Sequence, residues 1–218
     1  MVSPAFFEVH MSIPKYPEHE LYSRVKDLIQ YEPGMKILDY GCGNGLLLRS
    51  GDIRPEDYTG LDVDDILMLE NVENYPDATW LLEDMWSPCY NSNGVMQVPR
   101  LDQQYDVIFS NSVFTHMPYL HWRKAYEVFQ QHTKRQVHSF CLQDNELCKK
   151  YFYDARVNHY GSCDELVFKH NCEYLVDNKL SPQAGQCQHF LAWYQPEELE
   201  QYGTLHRFDD WTLDFVCT

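Results

Sequence analysis

This sequence predicts an α/β fold, with a mostly parallel sheet covered by helices on both faces. Three observations predict it. Short apolar runs alternate with stretches of helical periodicity. Four of those runs end in an acidic or small polar residue: Asp39, Asp62, Asp84 and Ser110. The first run also passes directly into a loop of alternating glycines, Gly41, Gly43 and Gly45. Strands alternating with helices imply parallel pairing through right-handed crossovers. Ligands in such sheets bind beyond the carboxyl ends of the strands. All four polar strand ends therefore converge on one edge.

The elements follow in order. Glu18–Gln30 places Leu21, Val25, Leu28 and Ile29 on one helical face, within an N-terminal helical segment, 1–34. Pro33-Gly34 turns the chain into a first strand ending at Asp39. A short helix, Leu46–Ser50, and a turn at Pro55 lead to a second strand ending at Asp62. Asp65–Asn74 reads as a helix, stopped by Tyr75-Pro76. Trp80–Met85 reads as a third strand ending in acid, with Glu83 competing with Asp84 for the terminal role. Ser87–Gln104 is a long polar loop leaving the same edge. Tyr105–Ser110 is a fourth strand, Tyr119–His132 a helix and Gln136–Leu142 a fifth strand.

Asp144–Gln188 then interrupts the pattern with Tyr151, Phe152, Tyr153, Tyr160, Phe168 and Tyr174. It starts where the fifth strand ends, so it should overhang the site. It reads either as an aromatic substrate cap or as a packed subdomain with an aromatic core. The length suits one domain, 1–218.

The glycine spacing narrows the ligand. A dinucleotide loop, G-x-G-x-x-G, would need its third glycine at position 46, which is Leu46. Asp39 would also repel a pyrophosphate and suits a ligand with a cationic end. The run Asp39-Tyr-Gly-Cys-Gly-Asn-Gly45 resembles motif I of the class I S-adenosylmethionine-dependent methyltransferases. Asp62, at the end of the second strand, is placed to accept from ribose hydroxyls. Asp84-Met85 resembles the adenine-binding position of the family. Asn111–Met117 resembles its loop after strand four. Leu191–Leu199 resembles its late helix entry, and Trp211–Cys217 its last, antiparallel strand. The resemblance covers about the first two-thirds of the chain in order, then these C-terminal pieces.

The resemblance implies a Rossmann-like three-layer sandwich on a seven-stranded, mostly parallel sheet with its last strand antiparallel. It implies S-adenosyl-L-methionine as cofactor, leaving S-adenosyl-L-homocysteine. Expected cofactor contacts are Asp39, Gly41, Cys42, Gly43, Gly45, Asp62, Val63, Asp84, Met85, Ser110 and Asn111. Methyl transfer from a sulfonium is an in-line displacement, so the protein chiefly orients the acceptor and excludes water. A base is required only where the acceptor must lose a proton. His116 and Tyr119 follow strand four, where the acceptor should approach, and are the candidates. The plainer reading of His116 is that it caps or packs under the next helix. His121 belongs to a helix face.

Other patterns are weighed and set aside. No Asn/Asp-Pro-Pro-aromatic motif follows strand four, where Asn111-Ser-Val-Phe114 stands instead. Ser87-Pro88-Cys89 lies after strand three and reads as a turn. His170/Cys172 and Cys187/His189, with His159 and Cys163 nearby, fit no known zinc module. Asp64-Asp65 and Asp209-Asp210 read as solvated acids.

Charge is lopsided, with 17 Lys+Arg against 33 Asp+Glu and a net −16. This disfavours nucleic acid and anionic membranes as partners. No apolar run is long enough to span a bilayer and no signal-peptide layout opens the chain, so a cytoplasmic protein with eight reduced cysteines is expected. The expected acceptor is a small molecule. A protein acceptor, or a non-catalytic cofactor-binding regulatory module, is the alternative.

Overall fold

The computed structural model describes residues 20–87, 90–91, 93–95, 97–117, 119–142, 144–148, 193–208, 211 and 213–218. Among them are eight strands: β1 Ile37–Tyr40, β2 Tyr58–Asp62, β3 Thr79–Leu82, β4 Val107–Ser110, β5 Gln136–Leu142, β6 Trp193–Tyr194, β7 Thr204–His206 and β8 Asp214–Cys217. The helices are α1 Glu20–Ile29, α2 Leu46–Arg49, α3 Asp65–Asn74, α4 Tyr119–His132 and α5 Pro196–Glu200. Seven strands run in the order β3-β2-β1-β4-β5-β8-β7. Pairing is parallel from β3 to β5, and β8 runs antiparallel to both its neighbours. The expected α/β architecture and its reversed last strand are present.

The central strands are apolar on both faces because both faces are covered. Alternation then sorts side chains to two cores. Ile37, Val107, Phe109, Val137 and Phe215 pack with Leu21, Val25 and Ile29 of α1 on one side. Leu38, Tyr40, Ile108, Phe140 and Val216 pack with Trp122, Ala125 and Phe129 of α4 on the other. Asp64 caps α3, accepting from the Ile66 and Leu67 amides at 3.1 and 3.0 Å. At α5, Gln195 and Glu198 form a capping box.

Three details differ from expectation. β3 ends at Leu82, before Asp84. The Glu83 amide still donates to the Asp62 carbonyl (3.0 Å), but the Asp84 carbonyl accepts from Val95 instead (2.9 Å). The returning loop thus captures the chain, with bridges at Met85/Val95 and Ser87/Asn91. The two-residue strand β6 adds to the end of β5, off the seven-strand path. β7, pairing with β8, completes the seven expected strands at residues to which the sequence assigns no strand. Of the expected insertion, 144–188, only 144–148 is described, so its aromatics and the paired His/Cys residues lie outside the described residues. No described helix is long and apolar enough to cross a membrane.

One polar chain crosses the second core. His138 Nδ1 lies 2.8 Å from Ser110 Oγ, and its Nε2 lies 3.1 Å from Gln136 Oε1. An amide oxygen only accepts, so Nε2 carries the proton and Nδ1 accepts from the Ser110 hydroxyl. The rings of Phe114 and Trp122 stand edge-on to the imidazole. Burial holds it neutral, with a pKa pushed down to about 3. Its folded pKa lies below the unfolded value, so its contribution is present above about pH 6.5 and falls away as pH drops from there toward about 3. Denaturant titrations should show His138→Gln losing about 2 kcal/mol less than the parent between about pH 7 and pH 5. Equal losses would mean that His138 is not held neutral.

Candidate functional site

The carboxyl ends of β1 and β2 build the site. Gly41, Gly43 and Gly45 have φ of +73°, +51° and +70°, the left-handed region where a Cβ is strained. The Leu61 carbonyl accepts from both Gly41 and Cys42 amides, at 2.7 and 3.1 Å. Gly43 is held from both sides. Its amide donates to Asp62 Oδ2 at 2.7 Å, and its carbonyl accepts from Asn71 Nδ2 at 2.8 Å. Asp62 Oδ1 accepts from the amides of Val63 and Asp64 at 2.7 and 3.1 Å. One carboxylate therefore ties the tip of the glycine loop to the turn between β2 and α3. Burial pushes its pKa up and the three amides oppose that, with burial the larger effect.

The glycines differ in surroundings. A Cβ on Gly41 would collide with the Val113 side chain, because the loop after β4 packs on this point. A Cβ on Gly43 would meet nothing within 4 Å, so this is the open side of the loop. Asp39 lies underneath, 3% exposed, accepting from the Tyr58 hydroxyl at 2.6 Å. Burial pushes its carboxyl up to about 7, opposed by the Tyr58 bond and reinforced by the nearby Asp62 charge. Cys42 contributes its backbone to the loop but turns its side chain into the first core, with Sγ 3.8 Å from Met68 Sδ.

The other predicted residues are placed less uniformly. Asp84 is exposed, accepting from Asn91 Nδ2 at 3.0 Å. Met85 is buried in the second core, its sulfur 3.9 Å from the donating Tyr40 hydroxyl. Ser110 is fully buried against His138. Asn111 Oδ1 is buried and has no hydrogen-bond partner among the described residues. His116 ends a short 3-10 turn, Phe114–His116, and meets the Tyr90 ring edge-on at 5.7 Å between centroids. Tyr119 opens α4, and its side chain lies outside the described residues. His121 is buried, stacked on Trp86 with Nε2 3.2 Å from the Gln97 carbonyl oxygen, and burial lowers its pKa. It fastens the long loop. No group of three or more potential metal ligands occurs among the described residues.

Two supporting residues escaped the sequence reading: Asn71, which holds the Gly43 carbonyl, and Tyr58, which holds Asp39. Asn71 was findable in principle, as the polar residue one turn beyond Met68 on the buried face of α3.

The model of a family described as "Methyltransferase domain" matches residues 16–211. Among solved structures, magnesium protoporphyrin IX methyltransferase from Synechocystis, with bound SAH, is similar with a TM-score of 0.54 at 13% identity. That match covers 92% of this chain and 81% of the other. DesVI from Streptomyces venezuelae gives a TM-score of 0.46 at 20% identity, over 63% of this chain and 57% of its own. CalS10 from Micromonospora echinaspora, a SAM-bound amino pentose methyltransferase of calicheamicin biosynthesis, gives 0.46 at 17%, over 61% and 55%. This chain spans little more than half the length of the last two. The first likeness is one of fold.

The loop's geometry separates two substitutions. Gly41→Ala should cost about 3 kcal/mol, from the left-handed backbone plus the collision with Val113. Gly43→Ala should cost about 1 kcal/mol, from the backbone alone. Chemical denaturation of both variants checks the order. A Gly43→Ala chain as unstable as Gly41→Ala would contradict the open side.

Proposed function

The chain belongs to the methyltransferase-domain family, and we propose that it moves a methyl group from S-adenosylmethionine to a small-molecule acceptor, leaving S-adenosylhomocysteine. The observation that carries this is the Gly43 peptide, clamped between Asp62 and Asn71 with its outer side open and a buried carboxyl beneath. This cradle fits a ligand with a cationic amino-acid end and ribose hydroxyls. It does not fit a pyrophosphate, which the acids would repel.

Gly41, Gly43 and Gly45, the Cys42 backbone and Asp39 hold the amino-acid end. Asp62 and Val63 take the ribose. A carboxylate offers about four lone-pair sites. Three are taken by amides, which leaves room for a hydroxyl. Asp84 flanks the base with its exposed carboxylate and Met85 through its backbone, its side chain being buried, and the backbone of buried Ser110 stands with Asn111 at the edge after β4. When bound, the cofactor supplies an electrophilic methyl on sulfur. The chain's own work is to orient the acceptor and exclude water. His116, partly exposed beside Tyr90, accepts a proton from an acceptor hydroxyl, ammonium or acidic carbon, with Tyr119 at the start of α4 as its neighbour in sequence. The acidic chain supports a neutral or cationic small acceptor rather than nucleic acid. A cytoplasmic location is supported by Cys42, Cys141, Cys148 and Cys217, which are free thiols.

Calorimetry with S-adenosylmethionine tests the reading. Binding is expected, weakened by about 1–3 kcal/mol in Asp62→Ala. No binding of either S-adenosylmethionine or S-adenosylhomocysteine would sink it. Binding without methyl transfer to any component of a metabolite extract would instead favour a regulatory module.

Asp39 adds a pH signature. A cationic ligand end favours its carboxylate form, so binding should release a proton and tighten as pH rises through about 7. A pH-independent affinity would remove Asp39 from the cationic end. His116→Ala should lower turnover by about 10²–10⁴-fold with cofactor affinity unchanged, measured with any acceptor that must lose a proton. Retained turnover would remove His116 as base.

A further inference from the structure

The outer edge of the sheet carries a surface that the methyl-transfer reading does not use. Among the described residues β3 pairs only with β2, and it ends the strand order. The Glu83 amide bonds the Asp62 carbonyl, so alternation points the main-chain groups of Trp80 and Leu82 away from β2, toward the free edge. Next to this edge lies α3, whose inner face buries Met68 and Asn71. Its outer side bears Ile66, Leu69 and Val72, spaced three apart and 65%, 68% and 49% exposed. Leu82 is 56% exposed. It shares a sheet face with Trp80, which packs in the same cluster as Met68, so Leu82 projects on the α3 side. Unpaired strand edges and contiguous exposed apolar side chains are the two features of an interaction surface.

Charge selects the occupant. No Lys or Arg occurs between Arg54 and Arg100. The apolar stripe is bordered by exposed Asp65, Glu70, Glu73, Asp77 and Asp84. A second copy would set this acidic border against itself. We infer that the free edge of β3 and the α3 stripe dock a different protein, which adds a strand to β3 and presents apolar side chains interspersed with Lys or Arg. The main-chain bonds supply affinity, and the alternating side chains cover Leu82 and the stripe.

The test uses the full chain and a synthetic peptide of alternating lysine and valine, with an alternating glutamate–valine peptide as its counterpart. The lysine–valine peptide should bind and slow amide exchange at Trp80 and Leu82. Methylating alternate peptide nitrogens should abolish that protection. Leu69→Gln combined with Leu82→Thr should weaken binding about tenfold, with thermal unfolding as the control, since both side chains are exposed. Absence of binding would overturn the inference. So would equal binding of the glutamate–valine peptide, or binding without protection at Trp80 and Leu82. A dimer of the chain alone, dissolved by the double substitution in sedimentation velocity, would assign the surface to a second copy and equally overturn it.

Discussion

The Asp62 carboxylate is the bond on which the rest of the site depends. It stands at the end of β2 and accepts hydrogen bonds from the amides of Gly43, Val63 and Asp64. Those three amides belong to the loop after β1 and the turn into α3. A single side chain thereby fixes the separation of two loop tips that no strand pairing reaches. Asn71 completes the clamp from α3 by holding the Gly43 carbonyl. Burial of Asp62 costs free energy, and the charged hydrogen bonds offset part of it. Preorganisation of this kind lets a ligand bind without ordering the loop.

The same logic extends inward through two titratable groups of opposite tendency. Asp39 is driven toward its protonated form by burial, whereas His138 is driven toward its neutral form. As pH falls from about 7, the Asp39 contribution to stability grows while that of His138 shrinks. The two partly cancel in the whole chain, so a flat stability profile would hide both, and single-residue measurements separate them. His138 also connects the loop after β4 to the aromatic core, through Ser110 on one side and Phe114 and Trp122 on the other. The loop after β4 is therefore only as rigid as that core.

Much of this was legible in residue types. Asp65–Asn74, Tyr119–His132 and Gln136–Leu142 match the observed elements residue for residue; Tyr75-Pro76 marks the end of the first and an apolar face marks the second. The alternating glycines were legible because only glycine accepts three left-handed positions so close together. The short strands β6 and β7 were not, because two or three residues carry no period of their own and gain their pairing from β5 and β8. The inward turn of Met85 depends on where β3 ends, and the loop return at Val95 decides that. The aim of the Cys42 side chain was equally hidden, since the loop's φ values and not its composition turn it toward Met68.

If the clamped glycine loop is the cofactor site, a bound cofactor must perturb its amides. An amide proton–nitrogen NMR titration with S-adenosylhomocysteine tests it most directly. The Gly43, Gly45, Val63 and Asp64 amides should shift together and saturate at one concentration, with the helix α1 amides unmoved. Saturable shifts that spare Gly43 and Val63, or no shifts at all, would contradict it.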